Sequence, residues 1–376
     1  MSIAEKKKNM IFHTPLPLFE DPASASGLRP LKMIEAFKNI GYNVDVVSGY
    51  ANERKTKIRE ILRRIEMGQK YDFCYCESST MPTLLTEPNH LPVAPFLDFH
   101  FIKKLKDNSI STALFYRDIH WVFEQYKNAT GFFKRFIATL FYRYDLLMYN
   151  RLFDVLFLPS EKMVESIPVK IKINKIFALP PGCDITNFDL KDIKKIENEL
   201  TVVYAGGIIP PLYDLSPLFE AIKKNKKLRL FLICREEEFI NTNTYYDISN
   251  VKNIEIIHGS GATIRKYFLN ADIYAILWKP FSYLSFAYPY KLFEALSYGL
   301  PIITTKGTAT SDFVENNNIG WTVDLDNKDF FSEIMKDSND ILRKKENIVQ
   351  IRNKHSWIER ATFVKDVLIN YGKEEQ

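Results

Sequence analysis

The sequence predicts an α/β protein made of two doubly wound domains, each built on a parallel sheet. Short apolar, β-branched segments alternate with amphipathic helical segments along nearly the whole chain, and this alternation is typical of parallel sheets. A chain of 376 residues also exceeds one ordinary hydrophobic core, so two domains are expected.

One polar stretch divides the chain. Residues 185–199 are rich in Lys and Asp and show no apolar period, so we interpret them as a linker. The predicted domains are therefore residues 1–184 and 200–356, and residues 357–376 form a last helix.

The composition narrows the classes of protein. A hydrophobic fraction of 46% and a charged fraction of 26% are those of a folded globular chain. The net charge of +5 permits an anionic ligand or an anionic membrane surface but does not demand nucleic acid, and we expect none. The four cysteines form no CxxC pair, and no apolar run reaches transmembrane length, so we expect a reduced, cytoplasmic protein.

The first domain is expected to carry six strands. They are predicted at residues 10–13, 44–47, 71–76, 112–116, 154–159 and 175–179, with helices at about 28–40 and 52–67 among them. Ser26 and Gly27 precede the first of these helices. Small residues there let a ligand approach free backbone N–H groups, although a plain capped helix explains them equally well.

Polar side chains follow the fourth strand directly. Arg117, Asp118 and His120 stand there beside Trp121. Doubly wound sheets bind ligands beyond the carboxyl ends of their strands, which makes this loop a candidate site. A structural alternative is an Arg117–Asp118 ion pair that fixes the loop, with His120 merely hydrogen-bonded.

Residues 127–153 interleave aromatic and basic side chains, and Asp145 is the only acid among them. A helix of this composition can lie in the interface of an anionic membrane. The alternative is a helix that buries a broad apolar face on the sheet and solvates its charges.

The second domain repeats the rhythm of strands and helices. A strand at 200–205 runs into Gly206 and Gly207, where the backbone can approach a ligand closely. Three further strand ends carry polar or small residues, namely Arg235, then His258 with Gly259, then Lys279.

The stretch from 286 to 305 organises this domain. It predicts a helix at 290–298, a stop at Gly299 and a buried strand at 300–305. Lys291 and Glu294 share one edge near the helix start, on either side of Leu292. A carboxylate beside free helix N–H groups suits a ribose diol next to a phosphate.

These residues resemble a known signature. Pro289-Tyr-Lys291-Leu-Phe-Glu294, followed by Gly299-Leu-Pro301, is similar to the donor site of GT-B glycosyltransferases in the branch with Pro-x-Lys-x-Phe-Glu. The resemblance implies two Rossmann-like domains that face a cleft, with the C-terminal helix crossing back to the first domain. It also implies transfer of a sugar from a nucleotide sugar, with UDP favoured, without a metal or another cofactor.

The resemblance also assigns roles to residues. The implied donor site comprises Gly206, Gly207, Arg235, His258, Gly259, Lys279, Lys291, Leu292 and Glu294, with Ser26 and Gly27 near the donor phosphates. His120 matches a histidine that contacts the donor sugar, and Asp118 is the candidate base for an acceptor hydroxyl. Arg117 and Trp121 are expected on the acceptor side. The expected acceptor is a glycan or lipid-linked glycan of bacterial surface polysaccharide synthesis, met at the inner membrane face.

Two departures from the family leave alternatives open. The Arg and Lys that follow the Gly-Gly loop in the large retaining branch are missing, so Lys291, Lys279 or Arg235 must neutralise the diphosphate. Phe286 stands where that branch has the first of two glutamates, which leaves retention or inversion open. The alternatives are a catalytically inactive subunit that supports a partner enzyme, or a nucleotide-sugar epimerase with further cleft carboxylates.

Overall fold

The computed structural model describes residues 8–20, 25–124, 126, 131–186, 199–279, 282–327 and 329–374. The chain divides into two compact units. Unit 1 contains residues 1–182 and 357–376, and unit 2 contains residues 183–356. Unit 1 includes the chain up to Gly182, and the backbone N–H of Cys183 donates to the carbonyl of His355 at 2.8 Å within unit 2. Most of the predicted linker, residues 187–198, lies outside the described residues.

Unit 1 is built on a six-stranded sheet in the order β2-β1-β3-β4-β5-β6, and its paired strands are parallel. Its strands are β1 (Lys8–His13), β2 (Tyr42–Val47), β3 (Phe73–Glu77), β4 (Ser111–Phe115), β5 (Val155–Leu158) and β6 (Lys175–Ala178). Its helices before the linker include α1 (Ala25–Asn39), α2 (Ala51–Glu66), α3 (Leu97–Asp107) and α4 (Phe132–Leu152). Every residue of β3 is buried, as expected for a central strand covered by helices on both faces.

Unit 2 repeats this architecture with the strand order β12-β11-β10-β7-β8-β9, again parallel. Its strands are β7 (Leu200–Ala205), β8 (Leu228–Ile233), β9 (Ile254–Ile257), β10 (Ile273–Ile276), β11 (Ile302–Thr305) and β12 (Gly320–Val323). Its helices include α5 (Ser216–Lys224), α6 (Glu236–Tyr246), α7 (Ala262–Leu269), α8 (Tyr290–Ser297), α9 (Ala309–Asn316), α10 (Phe330–Ile334) and α11 (Ser338–Arg352). The strand order reverses between β7 and β10, and sheets of this kind bind ligands at that switch point.

The last helix, α12 (Trp357–Glu374), belongs to unit 1 and contacts α1, β3 and β4. Trp357 is buried at its start, against Gly182, where an added Cβ would lie 2.6 Å from the indole ring. The prediction that the C-terminal helix returns to the first domain is therefore confirmed.

Two alternatives were predicted for α4, a helix in a membrane interface and a helix that buries a broad apolar face on the sheet. The burial of its side chains differs between its two halves. Its second half buries Tyr142, Leu146 and Tyr149, as a helix on a sheet should. Its first half exposes large apolar side chains, namely Phe132, Phe133, Phe136, Ile137 and Leu140. The expectation of one broad buried face is therefore wrong for that half. Among the described residues, no helix is both long and apolar enough to cross a bilayer.

Candidate functional site

The predicted donor residues of unit 2 gather at one edge of its sheet. Gly206 and Gly207 follow β7, and Lys279 follows the end of β10 closely. Because β7 and β10 are parallel neighbours, their carboxyl ends open at the switch point together. Arg235 and His258 follow β8 and β9 at the same edge.

Lys291, in the first turn of α8, is held by aromatic rings. Its Nζ lies 5.3 Å from the ring centroid of Tyr204, 5.1 Å from that of Tyr213 and 5.2 Å from that of Trp278. These distances are within the range of cation–π attraction. No carboxylate among the described residues forms an ion pair with Lys291. We call these three rings the aromatic cage.

The Gly-Gly sequence makes room for this cage. Gly206 has a φ of 130°, which side chains rarely adopt, and a Cβ there would overlap the Nζ of Lys291. A Cβ on Gly207 would lie 2.9 Å from the Tyr213 ring. The space expected to admit a ligand beside the glycines is thus partly filled by the protein's own lysine and tyrosine.

The environment of Lys291 weakens its hold on a proton. Burial lowers the pKa of its ammonium to about 8, and the charge of Arg235 acts in the same direction. The carboxylates of Glu294 and Glu238 partly oppose this shift. Lys291 is therefore mostly charged at pH 7 and mostly neutral above pH 9.

Glu294 lies one turn along α8 and is partly buried. Its Oε2 accepts a hydrogen bond from the Tyr274 hydroxyl at 2.7 Å. Burial raises the pKa of the Glu294 carboxyl. The hydrogen bond from Tyr274 and the charge of Lys291 act against burial but do not outweigh it. Tyr274 thus fixes one oxygen and leaves the other oxygen of the carboxylate available for a hydroxyl pair.

The two other candidate cations already have carboxylate partners. The Nζ of Lys279 lies 2.7 Å from Oδ2 of the buried Asp214, and Arg235 lies 2.9 Å from Glu238. Burial alone would raise the pKa of Asp214, but the hydrogen bonds from Lys279 and Ser216 outweigh it and the pKa is lowered. Lys279 lines an open cavity of about 630 Å³ that Lys291 does not line. Of the three cations, Lys291 alone has no ion pair among the described residues.

The remaining predicted donor residues differ in exposure. His258 and Gly259 are exposed beyond β9, and the Nδ1 of His258 lies 2.9 Å from the carbonyl oxygen of Cys234. Leu292 is fully buried in the core of unit 2, so its side chain stabilises α8 and is not a donor contact.

In unit 1, Asp118 and His120 come together in the loop after β4. Oδ1 of Asp118 accepts the backbone N–H of His120 at 2.9 Å, and Oδ2 lies 3.3 Å from the Nδ1 of the ring. The edges of Tyr126 and Tyr142 flank the imidazole. The Nδ1 thus faces the carboxylate without an aligned hydrogen bond, and the firm contact of Asp118 is the one to the backbone of His120.

Arg117 is partly buried and Trp121 is buried, and the side chains of both contact the interior of unit 1. Arg117 pairs with the fully buried Glu77 at 2.9 Å, a partner that the structural alternative did not include. Trp121 is buried and stacks on Tyr142 with 4.9 Å between ring centroids. Both residues anchor the loop that carries Asp118 and His120.

Ser26 and Gly27 lie inside α1 rather than before it, since the helix begins at Ala25. They occupy its first turn, where backbone N–H groups lack helical partners. The side chain of Ser26 lies outside the described residues. Among the described residues, no cluster of His, Cys, Asp or Glu could hold a metal ion.

Sequence reasoning missed the aromatic cage. Tyr204 lies in a strand, Tyr213 in the loop that replaces the family's missing cations, and Trp278 just after β10. Nothing in their spacing links them, because strand pairing brings them together. One available signal was the segment 208–214, which contains Tyr213 and lacks the Arg and Lys that follow the Gly-Gly loop in the large retaining branch.

The match to known families agrees with this arrangement. Residues 279–371 match the family model of the glucosyltransferase 3-like C-terminal domain, a segment that includes Lys291 and Glu294. No curated protein matches the chain by sequence.

Solved structures show the fold. Anabaena HepE in complex with UDP-glucose is 11% identical, with a TM-score of 0.63 over 96% of this chain and 99% of that chain. A glycosyltransferase from Rickettsia africae is 13% identical, with a TM-score of 0.63 over 97% and 98%. The sucrose-phosphate synthase of Thermosynechococcus elongatus is 12% identical, with a TM-score of 0.62 over 96% and 98%. The predicted GT-B fold is confirmed.

We expect nucleotide binding to weaken above pH 8. The pKa of Lys291 is about 8, so its protonated fraction falls as the pH rises through that value, and a neutral lysine no longer attracts an anion. The dissociation constant for UDP should rise by about tenfold between pH 7 and pH 9. Calorimetric titration across this range checks the expectation, and in Lys291→Arg the rise should disappear because an arginine stays charged. A flat profile in the unmodified protein would contradict the role given to Lys291.

Proposed function

We propose that this chain, which has the GT-B fold of the glycosyltransferases, transfers a sugar from a nucleotide sugar to an acceptor hydroxyl. The observation that carries the proposal is the placement of Lys291 and Glu294 at the start of α8, beside the switch point of unit 2. A cation without a carboxylate partner suits a diphosphate, and a fixed carboxylate suits the ribose diol. No metal is required in this proposal, because Lys291 and backbone N–H groups would take up the charge of the leaving diphosphate.

We favour UDP as the carrier. HepE, which shares the fold, was solved with UDP-glucose. The exposed strand end at His258 and Gly259 offers backbone groups to a base, as the sequence resemblance implied.

Replacing Glu294 by Ala should weaken UDP binding by about tenfold or more, because a hydrogen bond to a charged group is worth roughly 1.5–3 kcal/mol. Calorimetry on the purified variant measures this, and thermal unfolding verifies that the fold survives. Glu333→Ala serves as the control, since Glu333 is an exposed acid of the same unit. If neither Glu294→Ala nor Lys291→Ala changes the affinity for UDP, the proposed donor site is wrong.

We further propose that Asp118 and His120 activate the acceptor hydroxyl. The support is their proximity in the loop after β4, where Oδ2 of Asp118 lies 3.3 Å from the Nδ1 of His120. The Nε2 of His120 would then remove the proton as the acceptor oxygen attacks the sugar, and Asp118 would stabilise the charged ring.

His120→Ala and Asp118→Asn should each lower kcat by about 10²–10⁴-fold, since general-base catalysis is worth that much. The affinity for UDP should change little, because neither residue belongs to the donor unit. Turnover needs an acceptor, so hydrolysis of the donor or a screen of glycan acceptors provides the rate. His90→Ala is the matched control, an exposed histidine of the same unit. Near-normal turnover in both variants would leave the loop with a structural role alone.

We propose that the acceptor is a lipid-linked glycan of bacterial surface polysaccharide synthesis, met at an anionic membrane. The support is the first half of α4, which exposes phenylalanines beside Lys134 and Arg135, with the Arg135 guanidinium 5.6 Å from the Phe132 ring centroid. The only acid of that helix, Asp145, is buried. Lys103 and Lys106, also in unit 1, contribute less positive charge because they pair with Asp107 and Asp154.

The protein should bind anionic vesicles at low salt and release them at high salt. Each Lys or Arg near anionic lipid contributes about 1 kcal/mol, and this attraction is screened as the Debye length shrinks. Lys134→Glu plus Arg135→Glu should reduce sedimentation with vesicles of phosphatidylglycerol and phosphatidylcholine. Lys226→Glu plus Lys227→Glu changes the charge equally on unit 2 and should leave binding intact. No binding at low salt would point to a soluble acceptor.

The inactive-subunit alternative predicts a different result. A subunit without catalysis or donor binding should show no thermal shift with UDP, GDP, CMP or their sugars. An epimerase would interconvert a nucleotide sugar without any acceptor. We favour the transferase over the inactive subunit because Lys291 lacks an ion pair. A lysine held without a carboxylate is costly to bury, and binding of an anionic donor would offset that cost.

A further inference from the structure

The way in which Lys291 is held suggests a role for its neighbours. A lysine in an ion pair is positioned and neutralised by the same carboxylate, so an incoming anion must compete with that carboxylate. Lys291 is instead positioned by the faces of Tyr204, Tyr213 and Trp278, which attract its charge without cancelling it. Lys279 and Arg235 show the contrasting case, since each has a carboxylate within 2.9 Å.

The cage is itself fixed by contacts around the strand ends. The Tyr204 hydroxyl donates to the carbonyl of Gly207, and the indole N–H of Trp278 donates to the Tyr204 oxygen at 3.4 Å. The rings of Tyr213 and Trp278 meet edge to face, with centroids 5.4 Å apart. The three rings are therefore held by contacts with one another and with Gly207, and they lie beyond the ends of β7 and β10.

Of the three cage residues, Tyr213 lies in a loop well beyond the end of its strand. It lies in the segment 208–214 that follows the Gly-Gly sequence, before α5. Gly207 admits its ring, because a Cβ there would lie 2.9 Å from the Tyr213 Cδ2. Where the sequence lacks the two expected cations, this segment thus contributes a ring that faces a lysine from α8.

We propose that Tyr213 is a positioning residue that holds the charge of Lys291 at the Gly206 turn, so that this single lysine binds the diphosphate of the donor. The inference rests on the proposed function and adds the residue that makes one cation sufficient. Tyr213 acts through its ring face, and its hydroxyl is not required. Binding of the nucleoside part of the donor does not depend on it.

The test compares two ligands that differ only in the diphosphate. Calorimetry gives the affinities for UDP and for uridine in the unmodified protein, Tyr213→Ala, Tyr213→Phe and Lys291→Ala. Tyr213→Ala should weaken UDP binding by about three- to tenfold, the size of one cation–π contact, and leave uridine binding unchanged. Tyr213→Phe should restore most of the UDP affinity. Tyr245→Ala, an exposed tyrosine of the same unit, is the control.

Failure of this inference differs from failure of the proposed function. If the unmodified protein binds no nucleotide, the proposed function fails. If Lys291→Ala loses UDP affinity while Tyr213→Ala does not, the donor site stands and the cage has no part in it. Equal losses for UDP and uridine in Tyr213→Ala, or a Tyr213→Phe variant as weak as Tyr213→Ala, would also overturn the role of the ring face.

Discussion

The parallel pairing of β7 with β10 determines where the chemistry of unit 2 lies. These strands lie far apart in the chain, yet the pairs Ile273–Val202 and Tyr274–Val203 bring their carboxyl ends side by side. Gly206, Trp278 and the start of α8 all depend on that pairing for their positions. The position of Glu294 depends on β10 as well, because the hydroxyl of Tyr274 in that strand donates a hydrogen bond to its carboxylate. A change in the register of these strands would separate the lysine from its rings and the glutamate from its tyrosine.

Charged groups held at strand ends have an energetic cost that the fold must offset. A buried ion pair gains little net stability over apolar packing, while a buried charge that loses its partner costs several kcal/mol. In unit 1, Glu77 pairs with Arg29 at 3.2 Å and with Arg117 at 2.9 Å, and Arg29 also lies 3.6 Å over the Phe115 ring. In unit 2 the rings of the aromatic cage attract the charge of Lys291 through their faces, as the Phe115 ring attracts the guanidinium of Arg29. Both units therefore use ring faces to keep a cation in place at the edge of a sheet.

The exposed half of α4 follows a different physical rule. A soluble helix normally turns its large apolar side chains toward the core, as Leu146 and Tyr149 do. Phe133 is 79% exposed and Phe132 is 70% exposed, which is unfavourable in water unless another surface covers them. Basic side chains on the same turns are the reason why an anionic lipid surface is the cover that we propose.

The sequence by itself determined the fold class, the order of strands and helices, and the place of α8. Those features depend on local periodicity and on stop signals such as Gly299, and both can be recognised in the sequence alone. It also identified Lys291 and Glu294, because a helix start fixes their shared edge. Tertiary structure alone decided that Arg117 pairs with Glu77, that Trp121 is buried, and that Lys279 pairs with Asp214. These partners come from different strands and loops, and their encounter depends on strand pairing that no local pattern encodes. The aromatic cage belongs to the same class, since β7, β10 and α8 must all be in place before its rings and its lysine meet.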